Sequence, residues 1–308
     1  MELIGSYQNG NYKVSIYDDG TKVRENDLDF FEPERPESMD IKITNACDMG
    51  CPFCHEDSKP DGKHGDILNL PFLDSIHPYT ELAIGGGNPL SHPKFREFLE
   101  LLKERKLIAN VTVNQHHFLN GGATLLSELS EQGLVYGVGV SVSPHQTNTT
   151  LSELITAMKS IPNTVLHMIN GVHTPHDYIG LAGHGLRLLI LGYKEFRRGE
   201  TLYEKDKSMI DRRKNWLFDA LPYMVMDEWF DAVSFDNLAI GQLDVRRLLT
   251  EEEWSEFYMG DDGRDGEFTS ASMYIDAVNM EFAKNSCSTE RFPVTDDLTE
   301  MYRFLKSL

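Results

Sequence analysis

The sequence predicts an α/β protein: a partial α/β barrel with an N-terminal β-hairpin and a small C-terminal α+β cap. Three observations carry this. Short apolar runs alternate with helix-patterned segments along the chain, the arrangement that builds βαβ units and a parallel sheet. Six or seven such strand runs can be read, so the barrel is partial. The first run leads into a cysteine-rich loop and the second into a glycine-rich one. Loops at the C-terminal ends of strands are where α/β proteins put their chemistry.

Taken in order, residues 11–17 alternate, Asp18-Asp19-Gly20 form a turn, and residues 21–24 return as a second strand. Pro33 and Pro36 mark an extended linker, so residues 1–38 form a preface. Its hairpin either covers one end of the core or offers an edge to which a peptide adds as a strand. Residues 39–43 are the first barrel strand. Residues 56–65 are polar and form a loop over the cysteines, and 68–77 are expected to be a short helix. Residues 79–84 are a strand running into Gly85-Gly86-Gly87-Asn88. Ser91 and Pro93 open a helix with Phe95, Phe98, Leu99 and Leu102 on one face.

Residues 108–114 are the next strand. Residues 124–132 are helical, with Leu125, Leu126 and Leu129 inward and Gly133 closing the end. A strand over 136–143 follows. Thr150 and Glu153 then read as a capping box before Leu151, Leu154, Ile155 and Met158. Strands over 164–170 and 186–193, a long helix over 205–221 and a last strand over 232–240 complete a barrel spanning 39–243. In the segment 244–308, Thr250 and Glu253 cap a helix over 250–258. Residues 260–266 are acidic and glycine-rich, a linker or mobile loop. Residues 272–288 form a strand or hairpin ending at Cys287, and 298–308 an amphipathic helix.

Composition bounds the function. Of 308 residues, 40% are apolar, and no run approaches the roughly 18 apolar residues of a membrane helix. The N-terminus lacks the order of a signal peptide. Four cysteines, three of them in one loop, point to a reducing cytoplasm and not to a disulfide framework. The net charge of −20 repels phosphate backbones, so nucleic acid is not the expected partner. A basic peptide or a small molecule fits it better; solubility alone also accounts for it. Arg187, Lys194, Arg197 and Arg198 can still form a local basic groove.

Cys47, Cys51 and Cys54 have the spacing C-x3-C-x2-C. Three thiolates so close can wrap one metal centre, and thiolates select zinc, copper(I) or iron–sulfur clusters. Gly50 relaxes the backbone between the first two, and Pro52 stiffens it before the third. A zinc site needs a fourth ligand, His55 or Cys287. A cubane cluster held by three cysteines leaves one iron open to a small molecule.

This loop, with Phe53 just before the last cysteine, resembles that of the radical S-adenosylmethionine (SAM) enzymes. The resemblance covers roughly residues 39–243 and implies an open, partial (β/α)6 barrel. It also implies a 4Fe–4S cluster on Cys47, Cys51 and Cys54 that binds SAM and cleaves it reductively to a 5′-deoxyadenosyl radical. That radical takes a hydrogen from a substrate, and an electron donor such as flavodoxin or ferredoxin serves the cluster. Gly85-Gly86-Gly87-Asn88 resembles the family's Gly-Gly-Glu turn, which contacts the SAM amino group; Asn88 stands where the family has Glu and offers an amide oxygen without a full charge. By the same resemblance Asn114 and Ser141 (with Ser143) reach the ribose, Asn170 and Gly171 lie on the adenine side, and Gly192 offers backbone groups to adenine. Each of these residues is otherwise an ordinary polar group or glycine at a strand end.

His116, His117, His145, His167, His173 and His176 fall at or beyond strand ends, where any can handle a proton. Cys287 is a candidate hydrogen donor to a substrate radical, or a structural thiol. One cysteine cannot hold an auxiliary cluster, so none is expected. The expected substrate is a peptide or protein side chain; the alternatives are a small metabolite or nucleotide, and, in another class, a non-catalytic zinc-binding protein.

Overall fold

The computed structural model describes residues 1–28, 30–257 and 270–308. The stretch 260–266 and the end of the predicted helix at Tyr258 lie outside the described residues.

The chain opens with a three-stranded antiparallel sheet, β1 (Leu3–Asn9), β2 (Tyr12–Tyr17) and β3 (Lys22–Glu25), in the order β1-β2-β3. The predicted hairpin is β2–β3; β1 adds to it because Tyr7 and Asn9 bury against the same core as Tyr12, Val14 and Ile16. This small sheet covers the N-terminal ends of the main strands. The Tyr136 hydroxyl donates to the Tyr17 carbonyl, Asn163 Nδ2 to that of Asp18 (2.8 Å) and Arg187 to that of Asp19 (2.9 Å). Lys22 pairs with Glu81 and Glu37, and Arg24 with Glu37.

The main sheet begins with β4 (Ser38–Thr44), β5 (Glu81–Gly86), β6 (Ile108–Asn114), β7 (Gly137–Ser141), β8 (Thr164–Ile169), β9 (Arg187–Leu191) and β10 (Ala232–Phe235). Each pairs in parallel with the next, so spatial order follows chain order. That progression is the one a partial barrel requires. The C-terminal segment then joins the same sheet. β11 (Ser272–Asp276) lies parallel to β4 on its other side, followed by antiparallel β12 (Glu281–Ala283) and β13 (Phe292–Pro293).

Strand periodicity divides the sheet's faces. Met39, Ile41 and Ile43, Leu82 and Ile84, and Val111 and Val113 point outward into one core. Helices α1 (Phe95–Glu104), the one-turn α2 (Gln115–His117), α3 (Ala123–Glu131), α4 (Asn148–Lys159), α5 (Pro175–Ile179), α6 (Arg198–Met226), α7 (Asn237–Gln242), α8 (Glu251–Phe257) and α9 (Leu298–Lys306) accompany the strands. α1 shows the logic: Phe98, Leu99 and Leu102 are fully buried at helical spacing, each contributing roughly 1.5–3 kcal/mol.

Four expectations are corrected. Residues 68–77 form only a single turn, Leu73–Ser75, because Pro71 interrupts them and Leu70, Phe72 and Leu73 are buried from irregular chain. Thr147, not Thr150, caps α4: its Oγ1 accepts from Thr150 N at 3.2 Å. Strand β10 stops at Phe235, since Asp236 Oδ1 accepts from Ala239 N (2.7 Å) and turns the next residues into α7. The long helix runs on to Met226; the span Arg198–Met226 is broken at Asp206 (φ −123°, ψ 28°), close to the expected start, with a shorter helical stretch from Arg198 before it. The box of Thr250 and Glu253 forms as expected, with reciprocal bonds of 3.2 and 2.8 Å.

Candidate active site

The cysteine loop leaves the C-terminal end of β4 and is pinned along its length. Cys47 N donates to Lys59 O (2.9 Å), Asn45 N to Lys63 O (2.8 Å) and Cys54 N to Cys51 O (3.2 Å). The start of α6 grips it from the other side. Arg198 donates to Cys51 O (3.0 Å) and Ser58 O and pairs with Asp57 (2.9 Å); Arg197 donates to Glu56 O (2.9 Å). These bonds order a loop that lacks regular structure of its own.

All three thiols are half-buried. Burial first, then the neighbouring Cys54 and Cys47, push Cys51 up to about 11; burial also raises Cys47. The three thiols lie near enough to feel one another's charge, though the tight group about Cys47 is with Asp48 and His117, and a shared cation relieves the repulsion that thiol deprotonation creates. The donor set therefore fits a metal or iron–sulfur centre.

The glycine turn packs directly on this loop. Gly86 has φ +111°, and a Cβ there would lie 2.4 Å from Thr44 O. A Cβ on Gly87 would lie 2.2 Å from Ala46 O. Gly87 N donates to Thr44 O and Asn88 N to Ala46 O, both at 2.7 Å. These two glycines thus let β5's end lie against the cysteine loop. Gly85 differs: nothing lies within 4 Å of a Cβ built on it, which leaves an open cradle on the inner face. Asn88 Oδ1 accepts from Leu90 N (3.2 Å), capping the next turn, with a second lone pair still available.

Register aligns three predicted residues. Asn114 pairs with Ser141, and Ser141 with His167, in one inward-facing row at the C-terminal ends of β6, β7 and β8. Asn114 Oδ1 also caps α2 through His116 N (2.8 Å). Asn170 is fully buried; its Nδ2 donates to Gln242 (3.3 Å), and its Oδ1 has no protein partner among the described residues. An orphaned buried acceptor is the mark of a missing donor. Phe53 packs in an apolar group with Ile169, Val172 and Tyr193. Gly192 is placed differently from its expected use. Its N–H donates to Asp236 Oδ1 (2.9 Å), and a Cβ would strike Leu238 at 2.4 Å, so it serves the packing of α7 with its amide already engaged.

The four basic residues do not share a groove. Arg187 lies at the opposite end of the sheet against Asp19, whereas Lys194 donates to Ser286 Oγ (2.9 Å) and the two later arginines hold the cysteine loop. Of the histidines, His173 is buried and bonded to Val142 O (2.9 Å) and Ile169. His145 meets Arg213 (3.2 Å). His117 bonds Asp48 (2.7 Å), and their ligating atoms lie with that of Cys47 within 4.8 Å of one another. With Asn88 and His116, Asp48 and His117 line an open cleft of about 510 Å3 beside the loop. His55 sits 3.3 Å from Lys194 Nζ, and burial with Lys194 and Arg197 nearby holds its pKa well below the usual value.

Sequence reasoning missed one part of the site. Lys42 of β4 is buried and pairs with Glu56 (2.9 Å), just after the last cysteine, and with Asp276 of β11 (3.2 Å). The Tyr274 hydroxyl donates to Glu56 (3.0 Å), with Arg291 over its ring. This network ties the C-terminal strand to the cysteine loop. The signal was present in the alternation of Asp40, Lys42 and Thr44 with Met39, Ile41 and Ile43. Cys287, next to Ser286, is half-buried; burial raises its thiol pKa while Lys194 opposes the rise.

No protein-family model matches the sequence. Among solved structures, the chain is similar to Streptococcus suis SuiB bound to its precursor peptide SuiA, with a TM-score of 0.57, 14% identity and 88% of this chain covered. SuiB bound to S-adenosylmethionine gives 0.55, again at 14% identity and 88% coverage. This chain spans 65% and 66% of those two chains. A curated relative, the tungsten-containing aldehyde ferredoxin oxidoreductase cofactor-modifying protein of Pyrococcus furiosus, is 30% identical over 105 residues, covering 31% of this chain and 28% of that protein. Among the described residues no helix is long and apolar enough to cross a membrane. The chain thus carries the fold of SuiB, and in its cysteine loop and glycine turn it resembles the radical SAM enzymes.

Proposed function

We propose that this protein is a radical SAM enzyme acting on a peptide or protein side chain. The observation that carries the reading is the three-cysteine loop, pinned at the C-terminal end of the first parallel strand on a SuiB-like fold. Cys47, Cys51 and Cys54 would hold a 4Fe–4S cluster, leaving one iron for SAM. When bound, that pair supplies an electron and a 5′-deoxyadenosyl radical for hydrogen abstraction.

The chain's own residues do the rest. Gly85 leaves the inner face open beside the cysteines. Asn88, Asn114 and Ser141 offer polar atoms along the rim, and Asn170 Oδ1 an acceptor awaiting a donor. Phe53 with Ile169 and Val172 supplies an apolar wall for a ring. Among these contacts, Gly192 acts through its packing, since its amide is engaged. SuiB was crystallised with a peptide and with SAM, which supports a peptide substrate here; a metabolite or nucleotide held in the lumen is the second reading. A cytoplasmic location and a flavodoxin or ferredoxin as electron donor follow from the same chemistry.

Metal content tests the reading. After anaerobic reconstitution with iron and sulfide, the protein should be brown and hold about four irons per chain. A colourless protein retaining zinc would instead favour a structural metal site, with Asp48 and His117 beside Cys47 as its donors.

A further inference from the structure

The inner face of the sheet carries a carboxylate that bonds to no other described residue. Asp40, Lys42 and Thr44 alternate inward along β4. Lys42 is neutralised by Glu56 and Asp276. Asp40, one residue pair further down the same face, forms no hydrogen bond or ion pair with any described residue. Lys42 is paired as above; Lys194 donates to Ser286 Oγ (2.9 Å), lies 3.3 Å from His55, and acts on Asp40 only through its charge, without a bond to it. Asp40 is open to solvent and yet surrounded by protein, as befits a side chain projecting into a solvent-filled lumen. Enclosure, together with the negative charges of Asp236 and Glu56, holds its pKa above the usual carboxylate range against the pull of Lys194.

On one side Asp40 pairs with Tyr274 of β11; on the other, the β5 side, the wall is lower. Asp40 pairs with Ala83 on β5, and Asn110, which pairs with Ala83, pairs in turn with Gly137 on β7. Higher on the same face come the open Gly85 and Gly139. Space is therefore left in front of the carboxylate. A second polar group without a hydrogen-bond partner among the described residues faces the lumen from β8, nearer the C-terminal strand ends in the row of Asn114 and Ser141. The ring of His167 lies over Gly139, 2.3 Å from where a Cβ there would sit. It has no hydrogen-bond partner among the described residues, and burial alone lowers its pKa to about 4, so it is a neutral imidazole with a free acceptor nitrogen.

We infer that the lumen holds a binding site for a cationic substrate group, the ammonium or guanidinium of a lysine or arginine side chain, anchored by Asp40. The inference rests on the peptide-modifying reading and narrows its substrate. A cation is the ligand that fits a carboxylate with no bonded partner among the described residues, where Asp236 and Glu56 add negative charge against the single opposing charge of Lys194; an apolar group leaves Asp40 desolvated without a partner. Ala83 and the open Gly85 on the β5 side leave room for a long, thin side chain. The overall charge of −20 favours the approach of a basic peptide in the same sense.

The test is a binding measurement on the reconstituted full-length protein without reductant. Nα-acetyl-lysine methylamide and its norleucine counterpart share a stem and differ in the charge; both are titrated by saturation-transfer NMR. The lysine probe should bind about tenfold or more tighter, the range of a charge-assisted contact. Asp40→Asn should abolish that difference, and Asp40→Glu should retain part of it. Equal binding of the two probes, no binding of the lysine probe, or a preference that survives Asp40→Asn would overturn the inference. If Asp40→Asn does not fold, the wild-type preference and Asp40→Glu decide. The assay is blind to SAM cleavage: a lysine preference without 5′-deoxyadenosine formation would sink the radical reading alone, and the converse would sink the cation site alone.

Discussion

Replacing Lys42 with Met should destabilise the protein by about 3–5 kcal/mol, the cost typical of stranding a buried charge. Lys42 and its partners Glu56 and Asp276 have side chains 2%, 8% and 3% exposed. At separations of 2.9 and 3.2 Å, each attraction is worth about 5–6 kcal/mol at an effective dielectric of about 20. Desolvation of the three groups offsets most of that in the intact network. Removing the lysine deletes both attractions and leaves both carboxylates buried. Their remaining bonds soften the loss: Tyr274 and the more distant Arg197 (3.7 Å) still serve Glu56, and Asp276 keeps three donors from Val278 and Asn279 at 3.0 Å.

Urea unfolding followed by circular dichroism measures the effect as a fall in midpoint. Lys42→Met combined with Asp276→Asn should be more stable than Lys42→Met alone, because one stranded charge is gone. A loss below about 1 kcal/mol for Lys42→Met, or no recovery in the double variant, would refute the assignment of this network as the tie between β11 and the cysteine loop. Since Glu56 follows Cys54 so closely, the variant should also retain less iron after reconstitution.

Gly87→Ala should lower iron retention and cost about 1–3 kcal/mol, since its Cβ would meet Ala46 O at 2.2 Å; iron content and a melting curve check this. Asp177 is buried and accepts from Thr174 N and Oγ1 (both 2.8 Å), Gln146 N (3.0 Å) and His145 N (3.3 Å). Burial would raise its pKa, but these bonds outweigh it and hold it below the ordinary 3.8. Its contribution is therefore present above about pH 4 and fades as pH falls through the lowered folded value. Urea midpoints across that range should show less acid sensitivity in Asp177→Asn than in the parent. Cys287→Ala should keep fold and iron content; if the thiol is the hydrogen donor, substrate turnover stops while SAM cleavage continues, and full turnover ends that role.

How far the sequence reaches is clear at particular residues. The strand at Ile108–Asn114 was legible to the residue, because it is a β-rich run between two well-marked helices. The cysteine loop and glycine turn were legible as motifs because their residues lie side by side in the chain, each just after a strand run. The end of β10 was not: apolar residues continue past Phe235, and the turn depends on a single cap at Asp236. Nor was the pairing of β11 with β4. It joins residues 234 positions apart, as between Lys42 and Asp276, and no local pattern announces such a partner. The crowding of Gly192 was illegible for a similar reason, since it comes from Leu238 on α7. Asp40 and His167 fall on the inner face by simple alternation, but that neither bonds a partner among the described residues emerges only once every neighbouring strand is in place.

The most direct test of the central claim is SAM cleavage. The protein is reconstituted anaerobically with iron and sulfide and mixed with SAM and dithionite, and 5′-deoxyadenosine is sought by mass spectrometry. The account predicts that it forms, and that Cys51→Ala abolishes it. A protein that holds its full iron complement yet makes no 5′-deoxyadenosine, or makes it equally without Cys51, would contradict the account.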